Sequence, residues 1–164
     1  TAAGIPVFGV GKIRDIFAGC GIGDYVYSND NRDGMTKTLT ALAAMERGLI
    51  FTNLVDFDML YGHRLDALGF GQALEEFDRW LPECRAALKA EDLLIVTADH
   101  GCDPTTPGSD HTREYVPLLV WSPAMTRGTA LGVRTSFADV AATLAEAYGL
   151  PVGAGKGFLG ELTG

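Results

Sequence analysis

The sequence lacks two features that would assign it to common functional classes. It has no surplus of basic residues: 13 Lys and Arg stand against 21 Asp and Glu, for a net charge of -8. This balance argues against a general nucleic-acid binder, because phosphate contacts require clustered positive charge. It also has no apolar run of about 18 residues, so no membrane span is predicted, and no signal peptide is recognisable.

Cysteine is scarce as well. The three cysteines, Cys20, Cys84 and Cys102, are irregularly spaced, which excludes a disulfide framework and indicates reduced thiols in the cytoplasm. Cys102 follows the residue pair Asp99-His100 closely and is therefore a candidate soft metal ligand or reactive thiol. A plain loop role is favoured, because a reactive thiol needs a lowered pKa that sequence cannot reveal.

What the chain does contain is an alternation of strand and helix patterns, in a length of 164 residues that suits one domain. The alternation predicts an α/β fold with a mostly parallel sheet and helices on both faces. The first residue is Thr1, so we expect a processed or truncated piece of a longer protein. The predicted strands cover residues 5–10, 24–28, 49–57, 92–97 and 115–123.

Helix signals fill the intervals between these strands. A helix is predicted from about Met35 to a C-cap at Gly48, and a long one over residues 68–89, in which Pro82 is expected to produce a kink or a break. A last helix begins at Thr135 or Ser136 and stops at Gly149. The glycine-rich tail, residues 153–164, is expected to be loosely ordered.

The three histidines carry the strongest chemical signal. His63, His100 and His111 each lie just past a predicted strand, with Asp58 and Asp99 nearby. Since the carboxyl ends of parallel strands meet at one edge of the sheet, these side chains are expected to converge there. Imidazole and carboxylate are usual ligands of Zn²⁺ and Mn²⁺, and paired cations suit phosphoryl transfer. From pattern alone, structural or surface histidines remain an open alternative.

Three further acids lie close to this pattern. Asp56 would share a strand face with Asp58, while Asp103 and Asp110 flank the loop before His111. Local turn roles are favoured for them over metal binding, because Asp side chains commonly bond nearby backbone amides.

Long motifs in the chain are similar to a known family. The stretches "TNLVDFDMLYGHR", "DPTTPGSDHTREYVPLLV" and "NRDGMTKTLTALAAME" resemble the C-terminal segment of bacterial phosphopentomutases, in the alkaline phosphatase superfamily. The resemblance runs from about residue 7 to residue 150. It implies an alkaline phosphatase-like core that interconverts ribose or deoxyribose 1-phosphate and 5-phosphate through a phosphothreonine.

The same resemblance implies roles for individual residues. Asp58, His63 and His111 match the ligands of one metal, and Asp99 and His100 match two ligands of a second. Two Mn²⁺ ions are expected, with Zn²⁺ as the alternative. Lys12, in "GVGKI", matches a lysine that holds the substrate phosphate; without the resemblance it would be interpreted as a solvated surface lysine.

The chain also departs from the family pattern. An upstream metal-binding Asp, the Thr nucleophile and the cap domain are not found, so residues 1–164 are expected to form the C-terminal part of the metal-binding core and to be inactive alone. The missing N-terminal part of the same protein is the expected partner, and a pentose phosphate the expected substrate. Cys102 replaces the usual Asn, and "GAGKGFL" departs from the usual Gly-Thr-Ser-Phe pattern.

Two other interpretations remain. The metal pattern alone also occurs in cofactor-independent phosphoglycerate mutases, phosphodiesterases and sulfatases, which an upstream nucleophile and cap would distinguish. Alternatively, the chain is a noncatalytic metal-binding or interaction domain, or a proteolytic remnant. The "DPTTPGSDHTREY" stretch favours the mutase.

Overall fold

Strands and helices alternate along most of the chain in the computed structural model, which describes residues 3–162. The strands are β1 (Val7–Val10), β2 (Asp24–Val26), β3 (Leu49–Thr52), β4 (Leu94–Thr97) and β5 (Leu118–Trp121). The helices are α1 (Ile13–Ile16), α2 (Asn31–Ala44), α3 (Ala67–Ala87), α4 (Ala138–Ala147) and α5 (Leu159–Leu162), with a π-helical segment at Phe57–Gly62.

The first sheet is parallel, in the order β2-β1-β3. Phe8 at its centre is in register with Asp24 on one side and Ile50 on the other. Helices α1 and α2 contact the central strand, and α2 also contacts α3. The arrangement confirms the predicted α/β class with a parallel sheet and helices.

The second sheet differs from expectation. Strands β4 and β5 form a separate antiparallel pair, with Leu94 in register with Trp121, whereas one mostly parallel sheet was predicted. Residues between the two strands contain no crossover helix, and an antiparallel bridge joins Gly101 to Thr112. The connection is long enough for a crossover, but it folds back on itself at this bridge instead of crossing the sheet, so β5 returns antiparallel to β4.

Strand β3 ends at Thr52, so its predicted extension to residue 57 is wrong. The chain leaves the strand and enters the π-helical segment at Phe57, which places Asp56 and Asp58 in helical turns rather than on one strand face. The Asp56 carboxylate accepts a hydrogen bond from the Asn31 amide at 2.8 Å, and Asn31 Oδ1 accepts one from the Asp56 amide at 3.0 Å. Asp56 therefore joins the end of β3 to the start of α2.

Several helix boundaries also correct the predictions. Helix α2 begins at Asn31, before Met35, because the Asp30 side chain caps it by accepting the Asp33 amide at 2.7 Å. It ends at Ala44, so Gly48 is not its C-cap. Helix α3 continues through Pro82 undivided, since proline removes one hydrogen bond without preventing those on either side.

The last predicted helix stops where expected but starts later: its N-cap is Phe137, which makes no side-chain cap, rather than Thr135 or Ser136. The first residue of α4 is Ala138, whose amide donates to Ser136 Oγ at 3.1 Å. Gly149 follows the helix with a φ of 64°, the left-handed conformation typical of a helix stop.

The tail was wrongly expected to be loose. Within the described residues, Phe158 is 0% exposed, and its amide donates to the buried Thr143 hydroxyl at 3.0 Å. Arg134 donates to the Lys156 carbonyl at 2.8 Å and to Asp139 at 2.9 Å. One large apolar side chain and one arginine therefore anchor the tail; residues 163 and 164 lie outside the described part.

The accessible surface of the chain is large for its mass. It measures 10176 Å², whereas folded monomers of 17.4 kDa expose about 7,900 Å². Apolar strand residues such as Phe51 and Leu119 are 40% and 60% exposed. Among the described residues, none of the helices has the length and apolar composition needed to cross a membrane.

Candidate metal centre

Three imidazoles converge on one carboxylate beyond the strand ends. Asp58 Oδ1 lies 3.3 Å from His63 Nε2, 3.3 Å from His111 Nε2 and 4.0 Å from His100 Nε2. Asp58, His100 and His111 offer ligand atoms that all lie within 4.8 Å of one another. The fold thus brings the three histidines together, and the sequence pattern predicted this convergence.

Two different parts of the fold supply these residues. Asp58 lies in the π-helical segment after β3, and His63 follows that segment directly. His100 follows β4, and His111 comes at the end of the returning loop, with its ring stacked on that of His100 at 3.6 Å between centroids. π-helical turns are often found at functional sites, and here one displaces Asp58 from the strand.

Backbone carbonyls decide which nitrogen each ring presents. The Nδ1 of His63 is hydrogen-bonded to the Ser109 carbonyl, and the Nδ1 of His100 lies 3.1 Å from the Gly101 carbonyl. Since a carbonyl only accepts, Nδ1 carries a proton in both rings, and Nε2 is the nitrogen that faces Asp58. Such a bond to the second nitrogen is usual for metal-ligating histidines.

The carboxylate at the centre lacks a partner of its own. Asp58 Oδ1 is buried and has no hydrogen-bond partner among the described residues. A buried acceptor without a partner is costly, and a cation between this oxygen and the Nε2 atoms would supply the missing partner. The donor set, imidazole nitrogens with a carboxylate, fits a borderline divalent cation.

Asp99 lies at the rim of this cluster. Its side chain is 73% exposed, and its Oδ1 lies 3.7 Å from His100 Nε2. The division of ligands implied by the family resemblance, with Asp99 and His100 on a second metal, therefore stays a prediction. His100 stands close to Asp58 as well, at the boundary between the two expected sites.

Lys12 lies at the same edge of the parallel sheet. It comes two residues after the end of β1, and its Nζ contacts Sδ of Met59, the neighbour of Asp58 in sequence. The preceding Gly11 has a φ of 81°, and a Cβ there would approach the Asn53 carbonyl oxygen to 2.6 Å. This close turn brings an exposed ammonium group next to the π-helical segment.

Cys102 contacts Gly62 rather than joining the ligand group. A Cβ at Gly62 would collide with its sulfur, so the thiol occupies the space that glycine leaves. Burial raises the pKa of the Cys102 thiol, and the charges of Asp58, Asp103 and Glu114 raise it further. Thiolate formation is therefore disfavoured, in agreement with a packing role.

Some contributors escaped the sequence interpretation. The Ser109 carbonyl and the Thr112 hydroxyl, which accepts the Asp103 amide at 2.8 Å, hold the site together without being ligand types. Asp103 has the predicted turn role: its carboxylate accepts the Thr105 amide at 2.8 Å. Hydrogen bonds from the Thr105 hydroxyl, the Thr105 amide and the Thr106 hydroxyl, in that order, lower the pKa of Asp103.

Comparison with known proteins places this cluster in a family. Residues 12–152 match the model of the metalloenzyme superfamily. The chain belongs to the metalloenzyme superfamily. That assignment agrees with the convergence of Asp58 and the histidines.

Individual superfamily members are closely similar to the chain. It is 66% identical over 160 residues to a phosphopentomutase of Syntrophotalea carbinolica and 60% identical over 161 residues to one of Caldanaerobacter subterraneus. In both cases the match covers 98% of this chain but 41% of the relative. The chain therefore spans about two fifths of the length of these relatives.

A more distant match supports the fold. A crystal structure of Leishmania mexicana phosphoglycerate mutase, determined at low cobalt concentration, superposes with a TM-score of 0.70 at 19% identity. The superposition covers 95% of this chain and 37% of that protein. It bears on the fold alone, and agrees with the α/β core described above.

Proposed function

We propose that the chain supplies the metal-binding half of a phosphopentomutase active centre, which interconverts the 1- and 5-phosphates of ribose or deoxyribose. The observation that carries the proposal is the buried, unpartnered Asp58 oxygen surrounded by three imidazole Nε2 atoms. The 66% identity to a phosphopentomutase over nearly the whole chain supports this activity over others of the superfamily.

Each site residue has a defined task in this proposal. Asp58, His63 and His111 hold one divalent ion, and Asp99 and His100 contribute to a second, Mn²⁺ in the first instance and Zn²⁺ as the alternative. When bound, such ions neutralise the phosphate oxygens of the transferring group. Lys12 offers a point charge to the substrate phosphate, a task suited to a compact ammonium group.

The proposal requires further polypeptide. No residue of the described cluster is a hydroxyl nucleophile, and the threonine that carries the phosphoryl group is assigned to the additional length found in the relatives. The chain exposes 10176 Å², well above the roughly 7,900 Å² of a compact monomer, and its two sheets share no strand pairing within residues 3–162. It therefore has surface to offer such a segment. Its proposed partners are that segment and a pentose phosphate, and the net charge of -8 disfavours nucleic acid.

The cytoplasm is the compartment proposed for this activity. Cys20, Cys84 and Cys102 are all free thiols, as expected of a protein held under reducing conditions. Burial and the neighbouring Glu83 raise the pKa of Cys84 to about 11, which keeps that thiol protonated and inert.

Metal binding is the first test. Titration of the chain with Mn²⁺, followed by loss of the free-ion EPR signal, should show at least one bound ion, and Asp58→Ala should abolish it. The exposed helical residue Asp78 provides the control, since Asp78→Ala should bind as the wild type does. Equal binding by Asp58→Ala would contradict the assignment of the centre.

Activity is the second test. In a coupled ribose 1-phosphate assay, the chain alone should show no turnover above a His63→Ala control. Adding the remaining polypeptide of the Syntrophotalea carbinolica relative should restore turnover with the wild-type chain but not with His63→Ala. Restored activity on 3-phosphoglycerate instead would favour the mutase of that substrate, and metal binding without any turnover would favour a noncatalytic domain.

A further inference from the structure

We infer that residues 101–112, here called the clasp loop, form a preformed element that positions two proposed metal ligands, His63 and His111. Thr112 and Ser109 are its positioning residues. The inference rests on the proposed metal centre and extends it to residues that offer no ligand atom to the ion. It explains how the Nε2 atoms of His63 and His111, which are distant in sequence, both come to face Asp58.

The ends of the clasp loop are tied together by Thr112. Its hydroxyl accepts the Asp103 amide at 2.8 Å, and its own amide donates to the Gly101 carbonyl at 3.0 Å. A Cβ at Gly101 would approach the Thr112 carbonyl oxygen to 2.6 Å, so the tie is too close for any other residue. His100 and His111 immediately precede the two tied residues, and this spacing stacks their rings.

The interior of the clasp loop is held by Asp103. Its carboxylate accepts the Thr105 amide at 2.8 Å, the Thr105 hydroxyl at 2.7 Å and the Thr106 hydroxyl at 2.9 Å. Charge-assisted bonds of this kind are stronger than neutral ones. They fix the path of the chain on its way to Ser109.

The clasp loop is also tied to the π-helical segment on the other side of the centre. The Ser109 carbonyl accepts the Nδ1 proton of His63, and the Cys102 sulfur lies against Gly62. The loop that carries His111 therefore also turns the His63 ring so that Nε2 faces Asp58 at 3.3 Å. Loss of the hydrogen bond between the Asp103 amide and the Thr112 hydroxyl should therefore free the rings of His63 and His111 together.

A pair of substitutions isolates the hydroxyl of Thr112. Thr112→Val keeps the shape but leaves the Asp103 amide without its acceptor, while Thr112→Ser keeps the acceptor. Thr38→Val is the matched control, because Thr38 is also half-buried and uses its hydroxyl in hydrogen bonds to Gly34 and Thr52, away from the centre.

The chain is titrated with Co²⁺ and followed by visible absorption, which reports the coordination geometry as well as affinity. Loss of a hydrogen bond made directly to a metal-ligating side chain typically weakens metal affinity about 10- to 100-fold, and Thr112 acts on the ligands through the loop, at the lower end of that range. We expect that loss and a changed spectrum for Thr112→Val, and wild-type values for Thr112→Ser and Thr38→Val. Wild-type affinity and spectrum in Thr112→Val would overturn the inference.

A measurement on the metal-free chain separates this inference from the proposed function. Hydrogen exchange of the Asp103 amide should be faster in Thr112→Val, and the ¹⁵N shifts of the His63 ring should move toward a mixture of tautomers. If the wild-type chain bound no Co²⁺, the proposed function would fail, yet these signals would still decide whether Thr112 positions the rings. Unchanged exchange and an unchanged His63 tautomer would refute the clasp.

Discussion

His111 presents its Nε2 atom 3.3 Å from Oδ1 of Asp58, although Asp58 lies in the π-helical segment after the parallel sheet and His111 in the loop between the two antiparallel strands. The oxygen is buried and has no hydrogen-bond partner among the described residues. A buried acceptor without a donor is unfavourable, and a bound cation would give this oxygen a partner. A substitution that removes the charge of Asp58 should therefore raise the free energy of unfolding of the metal-free chain and lower its affinity for a divalent ion.

Replacing Asp58 by Asn tests this opposition. The amide is nearly the same shape, has no charge, and can donate to an imidazole lone pair. We expect Mn²⁺ affinity to fall at least 100-fold, while the metal-free chain gains about 1 kcal/mol in its free energy of unfolding, because an orphaned buried acceptor has been given a partner. Urea unfolding in the presence of a chelator measures the second effect.

The outcome that opposes this prediction is a loss of metal-free stability in Asp58→Asn. It would mean that the carboxylate is paired with protonated imidazoles in the empty protein. Asp78→Asn, on the exposed face of α3, is the control, and should change neither quantity by more than about 0.5 kcal/mol.

Lys12 should affect phosphate binding and leave folding unchanged. Lys12→Met keeps the apolar stem beside Met59 and removes the charge. In the Mn²⁺-loaded chain we expect binding of inorganic phosphate to weaken about tenfold or more, the usual value of a charge-assisted hydrogen bond. Calorimetric titration measures it, with Lys89→Met as the control; equal phosphate affinity in Lys12→Met and the wild type would remove Lys12 from the site.

Phe158 should be a major determinant of stability in the tail. Its side chain is 0% exposed, so Phe158→Ala should cost about 3–5 kcal/mol, measured by urea unfolding. Leu68, 74% exposed, supplies the comparison, and Leu68→Ala should cost less than about 0.5 kcal/mol. Similar values for the two variants would show that the tail does not dock as described.

Asp139 should make the tail sensitive to acid. The Lys156 amide and the Arg134 guanidinium, in that order, hold the pKa of Asp139 below its ordinary value. A carboxyl with a lowered native pKa stabilises the fold above its unfolded pKa of about 3.9, and this stabilisation is lost as pH falls toward the native pKa.

The corresponding measurement compares urea midpoints of the wild type and Asp139→Asn between neutral and acid pH. The difference between them should be constant at neutral pH and shrink below about pH 4. A difference that stayed constant into acid would show that Asp139 titrates identically in the folded and unfolded chains. Asp78→Asn, which lacks these partners, is again a suitable reference.

Sequence pattern was sufficient for the features that depend on residue type. Apolar runs located the strands, and the position of His63, His100 and His111 after strand ends predicted their convergence. The turn from β3 into the π-helical segment was not predictable, because an apolar stretch such as "LIFTNLVDF" satisfies a buried strand and a buried helical turn equally well.

The remaining errors have a common cause. The antiparallel direction of β5, the docking of Phe158 and the Ser109 carbonyl all depend on contacts between distant segments. A backbone carbonyl is present at every residue and so leaves no trace in the sequence. The five candidate ligands could be named from their types, but the atoms that orient them could be found only in the folded chain.

The split between the two sheets has a mechanical consequence. Asp58 and His63 follow the parallel sheet along the chain, and His100 and His111 lie between the two strands of the antiparallel pair, while the sheets share no strand pairing among the described residues. The ion proposed for Asp58, His63 and His111 would join the two sheets, because its ligands come from segments attached to both. We expect the two sheets to unfold in one cooperative transition when the ion is bound. When the ion is removed, we expect them to separate from each other before either sheet unfolds.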